Sequence, residues 1–99
     1  MARFDVFVSP SSAGYLLDVQ TDLLDDLSTR VVVPLVPAIP AMKLVRRLNP
    51  VFDLSGRQYV MFTHLIATVP SARLGEPQAN FAGHHDQITA ALDMLFQGF

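Results

Sequence analysis

The 99-residue chain predicts a mainly β domain closed by one C-terminal α-helix. Three observations carry this reading. Short runs of alternating or β-branched residues are bounded by Gly, Pro and Ser. The apolar period changes to three and four residues after Ala82. The length encloses one core, so residues 1–99 are read as a single domain.

Arg3-Phe4-Asp5-Val6-Phe7-Val8 alternates polar with apolar residues and predicts a half-buried strand, stopped by the turn-forming Ser9-Pro10-Ser11-Ser12-Ala13-Gly14. Tyr15 to Gln20 predicts its hairpin partner. Thr21 to Ser28 breaks the alternation with acids around Leu23-Leu24, as a loop or single helical turn does. Arg30 to Val36 is too apolar for a strand with one wet face and reads as a central strand, with Pro34 marking a bulge or the strand's exit. Pro37 and Pro40 exclude a regular helix and predict a surface connection carrying Ile39 and Met42. Val51 to Leu54, Ser55-Gly56 and Arg57 to Phe62 have the form of a hairpin with a tight turn. His64 to Pro70 either continues that second strand or folds back as another. From Ala82 to Phe96, Ile88, Ala91, Leu92, Leu95 and Phe99 recur at helical spacing, and Gly98 fits the helix stop. About five strands and one helix imply an antiparallel, partly closed barrel or two small sheets against the helix.

Composition bounds the function. Seven basic against nine acidic residues argue against a surface that tracks phosphates, so direct nucleic-acid binding is not expected. The absence of cysteine removes disulfides and thiolate chemistry and suits a reducing cytoplasm. Asp5 interrupts any signal-peptide core, and no apolar run approaches a membrane span, so a cytoplasmic protein is expected. An apolar content of 51% is rich for a small monomer and predicts a covered face, hence a homodimer.

Candidate chemistry is sparse. His84-His85-Asp86 is the one cluster of metal-ligand types, yet helical neighbours point about 100° apart and cannot easily share an ion. A solvated first helical turn accounts for it, and no metal or cofactor is expected. His64 reads as a structural or surface residue. No serine has nucleophile context, no glycine pattern forms a phosphate loop, and no carboxylates form a recognisable acid–base pair, so no enzyme is expected. Lys43, Arg46 and Arg47 form a basic cluster, read either as a solvated turn or as a patch for an acidic peptide. Leu92 to Phe99 places large apolar groups on more than one side of a terminal helix, which predicts a dimer contact or a docking surface. Leu23-Leu24, between Asp22 and Asp25, raises the same question, with a core plug as the alternative.

Four stretches carry a resemblance: Leu17-Asp18-Val19-Gln20-Thr21-Asp22-Leu23-Leu24-Asp25, Arg30 to Leu35, Pro50 to Pro70, and Ala91 to Phe99. Together they resemble the CcdB-type toxins of bacterial toxin–antitoxin modules, which poison DNA gyrase. The similarity spans nearly the whole chain. It implies an SH3-like, five-stranded antiparallel barrel with a small accessory sheet, assembled as a homodimer. It implies a mechanism without bond-making, in which the toxin binds the gyrase A subunit and traps the cleaved-DNA complex. A cognate CcdA-like antitoxin, partly disordered, would neutralise the toxin and use it as corepressor, so operator DNA is met only through the antitoxin complex.

By this resemblance the gyrase contacts fall on Leu23, Leu24, Asp93, Phe96, Gln97, Gly98 and Phe99. The antitoxin surface falls on Ser9, Pro10, Ser11, Met42, Lys43, Arg46 and Arg47. Gln97 departs from the tryptophan of the family pattern, whose ring stacks on a gyrase arginine, and Phe99 offers another aromatic face. Two functions follow: a gyrase poison, or a toxin-derived protein that keeps antitoxin binding and autoregulation with weak or no poisoning. An enzyme built on His84-His85-Asp86 ranks below both.

Overall fold

A computed structural model describes residues 1–11 and 13–98. Among the described residues seven strands appear in chain order: β1 (Asp5–Val8), β2 (Tyr15–Asp18), β3 (Thr29–Pro37), β4 (Val51–Leu54), β5 (Arg57–Met61), β6 (Ala67–Pro70) and β7 (Ala79–Asn80). The helix α1 (His85–Gln97) follows. Strands β1 to β5 make a curled antiparallel half-barrel in the order β4-β5-β3-β2-β1, with β7 on β1 and β6 on β3. The expected fold class, mainly β with one C-terminal helix, holds.

Strand β3 is the hub. One edge pairs with β2 through Leu17↔Val33 and its neighbours, and the other pairs with β5 through Val36↔Val60 and with β6 through Arg30↔Val69. Residues 57–70 therefore run along one edge of β3 in a single direction, interrupted by the 3₁₀ turn Thr63–Leu65. Pro34 sits opposite that interruption. Its carbonyl accepts the Phe62 N–H at 2.9 Å, and a strand residue points both backbone groups to the same side. The missing proline N–H thus faces the one stretch of the edge where no ladder bond is needed. Pro34 therefore marks neither a bulge nor an exit of its own strand: β3 runs through it to Pro37, and the irregularity is the 3₁₀ turn on the partner edge.

The strand predicted over residues 3–8 is not half-buried. Val6 and Phe7 are neighbours on opposite faces and are both fully buried. Val6 joins the main core with Phe4, Leu17, Leu35, Phe52 and Met61. Phe7 joins a second cluster with Val32 and Leu74, flanked by Leu16 and Val69. The segment after β6 covers a face that the alternation had left to water. Helix α1 closes the main core with Ile88 and Ala91, both fully buried, and with Leu92 packed beside them.

Local turn chemistry follows the sequence closely. Ser55 (φ 54°) and Gly56 (φ 81°) both adopt positive φ, as a two-residue hairpin turn requires. Gly98 (φ 82°) ends α1 in the left-handed region and donates to the Met94 carbonyl at 3.1 Å. Gly14 (φ 135°) is the tightest position: a Cβ there would collide with the Leu35 backbone carbonyl. Gly14→Ala is expected to cost about 3 kcal/mol, combining an unfavourable φ with a backbone clash, read as a lower urea midpoint at unchanged slope.

Candidate partner-binding surfaces

The 3₁₀ turn Asp22–Leu24 projects from the start of the β2–β3 connection. Thr21 caps it by accepting the Leu23 N–H at 3.4 Å, and the Asp22 carboxylate accepts the Arg3 N–H at 2.8 Å. The turn buries none of its residues. Leu23 is 92% exposed and Leu24 48%, with Leu27 at 50%. This excludes the core-plug alternative, since a side chain in water contributes no core packing. Asp22, Asp25 and Asp26 flank these leucines and give the patch an acidic rim.

Beneath the turn lies a polar network that sequence reading missed. Arg30, 1% exposed, donates from Nε to the buried Asp18 carboxylate at 2.7 Å and from Nη1 to Asp25 at 3.0 Å. Its Nη2 reaches the Gln20 carbonyl at 3.5 Å. Asp18 also accepts the Gln20 N–H at 3.0 Å. The Gln20 side chain accepts the Val31 N–H at 3.0 Å and donates to the Leu24 carbonyl at 3.1 Å. The hydrogen bond with Asp18 raises the Arg30 pKa against the effect of burial, with the charges of Asp18, Asp25 and Asp22 adding to it. A base whose pKa rises on folding contributes stability that is fully present below its unfolded pKa and is lost as pH rises through the raised one, so the contribution of Arg30 is intact throughout the neutral range. The one sequence signal for the network was an aspartate at an inward position of an apolar strand.

At the end of α1, Asp93 is half-buried while Phe96, Gln97 and Gly98 are exposed, Phe96 at 69%. Phe99 lies outside the described residues. Among the described residues no hydrogen bond or ion pair joins this end of the helix to Leu23 and Leu24.

The residues expected to meet an antitoxin fall on two loops. Pro10 and Ser11 are exposed in the β1–β2 turn, whereas Ser9 is buried and donates its N–H to the Gly14 carbonyl at 3.1 Å. Lys43, Arg46 and Arg47 are exposed on the β3–β4 connection and Met42 is half-buried. The buried Asn49 anchors that connection: its side chain accepts the Val45 N–H at 2.9 Å and donates to the Met61 carbonyl at 3.1 Å. A groove of about 320 Å³ opens beside the β1–β2 turn, lined by Pro10, Leu16, Pro34, Val69, Arg73 and Leu74 among others.

The histidine cluster is occupied by ring packing. His84 stacks obliquely on Phe52 with centroids 4.8 Å apart and meets Phe81 edge-on at 5.1 Å. His85 meets Phe4 edge-on at 5.6 Å. Among the described residues no group of three or more His, Cys, Asp or Glu is placed to hold a metal ion, and no helix is long and apolar enough to cross a membrane.

A family model described as CcdB protein matches residues 3–98. The chain belongs to the CcdB family. A solved structure described as an endoribonuclease in complex with its cognate antitoxin, from a mycobacterial species, is similar in fold. It aligns with a TM-score of 0.77 and 18% identity over 97% of this chain and 94% of that one. At that identity the likeness is one of architecture. In this CcdB-type toxin, the motif from Leu17 to Asp25 divides into inward-facing residues that bind one another and outward-facing leucines.

Proposed function

We propose that this chain is the toxin of a type II toxin–antitoxin module that binds the gyrase A subunit and traps the gyrase–DNA cleavage complex. The observation that carries this reading is Leu23, almost wholly in water on an internally bonded turn of a CcdB-family chain. Leu24 and Phe96 extend the apolar contact, and Asp93 and Gln97 supply its polar rim. The toxin acts by binding, without catalysis. The working form is a cytoplasmic homodimer, consistent with exposed Val51 and Leu65.

A cognate CcdA-like antitoxin would neutralise the toxin by folding onto the preformed loops that carry Pro10, Ser11, Lys43, Arg46 and Arg47, the basic side chains attracting an acidic tail. The toxin would act as its corepressor, reaching operator DNA only within that complex. One observation favours the second reading, a protein that binds antitoxin with weak or no poisoning. Gln97 is exposed where an aromatic would stack on an arginine, and an amide can only hydrogen-bond it.

Purified gyrase cleavage with the full chain, and with Gln97-Gly98-Phe99 deleted, tests both. Cleaved DNA is expected to accumulate with the intact chain alone. Equal trapping by both forms would remove the tail from the contact. Trapping by neither, with antitoxin binding retained, would leave the second reading.

A further inference from the structure

The leucines at 23 and 24 are outward products of an inward arrangement, and we infer that Asp25 and Gln20 are positioning residues that hold this turn in its partner-binding form. This rests on the reading of Leu23 and Leu24 as gyrase contacts.

A three-residue 3₁₀ turn with no buried side chain has little packing of its own to fix it. Its order must come from bonds to the sheet. Asp22, within the turn, makes one by accepting the Arg3 N–H, and two side chains flanking the turn make the others. Gln20, on its N-terminal side, reaches across to the Leu24 carbonyl while its amide oxygen holds the Val31 N–H of β3. Asp25, immediately after the turn, binds the Arg30 Nη1 at 3.0 Å. Arg30 is itself fixed by Asp18, which is fully buried. The turn is thus clasped at both ends to one strand. A rigid apolar projection binds with less ordering cost than a loose one.

The two carboxylates on Arg30 do different work. Asp18 neutralises a buried cation, so the fold depends on it. The Asp25 side chain is 54% exposed, so its removal leaves Arg30 paired with Asp18 and leaves the core intact. Asp25 therefore matters to the turn much more than to global stability.

Asp25→Ala is the test, with binding to purified gyrase A subunit, thermal unfolding and amide exchange read on the full chain. The Leu24, Asp25 and Leu27 amides, bonded to the carbonyls of Thr21, Asp22 and Leu24, are expected to exchange faster. Gyrase affinity is expected to fall roughly tenfold, the coupling typical of residues sharing one network, while the unfolding midpoint stays close to that of the unaltered chain. Asp25→Asn, which keeps an acceptor oxygen for Nη1, is expected to recover part of the affinity. In a Leu23→Ala, Leu24→Ala background the Asp25→Ala effect is expected to vanish, which a merely structural role would not produce. Unchanged exchange, or unchanged affinity with gyrase bound by the unaltered chain, would overturn the inference alone. An unaltered chain that fails to bind gyrase A would overturn the underlying reading, and the inference with it.

Discussion

Alanine at both Leu23 and Leu24 is expected to abolish trapping of cleaved DNA while leaving the fold in place. The two leucines are 92% and 48% exposed, so their truncation removes little core packing. Surface changes of that kind fall within about 0.5 kcal/mol, or about 3 °C in Tm for a chain of this size. Binding is another matter. Anchors at the centre of an interface each contribute about 2 kcal/mol or more, so losing both lowers affinity roughly thousandfold if the two effects add. A cleavage titration against gyrase, run beside a thermal melt, reads both effects. Undiminished cleavage by the double variant would move the contact elsewhere on the toxin.

Arg30→Met has the opposite signature. It strands the fully buried Asp18 carboxylate without a counter-ion, and removing one partner of a buried pair costs about 3–5 kcal/mol. Tm is expected to drop by more than about 10 °C. Adding Asp18→Leu removes the stranded charge and is expected to recover part of the loss, although the Gln20 N–H then lacks its acceptor. A cost under about 1 kcal/mol for Arg30→Met would mean that Asp18 finds water or another donor. The contrast with Asp25→Ala is informative because all three side chains belong to one cluster, with only the exposed member free of the core.

The parts of this fold legible in the sequence are those decided within a few residues. Ser55-Gly56 announces a hairpin because only certain residues tolerate two successive positive φ values, and Gly98 announces a helix end for the same steric reason. The stripe of Ile88, Ala91 and Leu92 is likewise local, and it does face the core. Legibility stops where partners are distant. Nothing near Ala79-Asn80 marks a strand, because β7 exists through pairing with β1 and through the Asn80 side chain, which binds the Arg3 carbonyl at 3.1 Å and Asp5 at 2.9 Å. The continuation of β5 into β6 was left open by the residues themselves, since the edge of β3 decides it.

The site followed the same division. Resemblance pointed to Leu23, Leu24 and the end of α1, and the structure finds Leu23, Leu24 and Phe96 exposed. Ser9 proved buried, so within its turn only Pro10 and Ser11 among the named residues offer themselves to a partner. Arg30 looked like the polar first residue of a strand. Its role became visible only when folding brought Asp18 and Asp25 to it from either side of the turn.

The hub position of β3 also shapes how the toxin is made. The residues that build the leucine turn, Asp18 to Arg30, leave the ribosome within a dozen or so residues of one another, so that turn can form as soon as β2 and β3 pair. The other edge of β3 must wait for β5 and β6, whose last residue, Pro70, lies about 40 positions after Arg30. At about 5–20 residues per second, that leaves the apolar run Val31 to Val36 with one open edge for roughly 2–8 seconds in each round of synthesis. A nascent chain in that state carries a formed leucine turn on an unfinished barrel, vulnerable to misassociation until the strands that shield the open edge arrive.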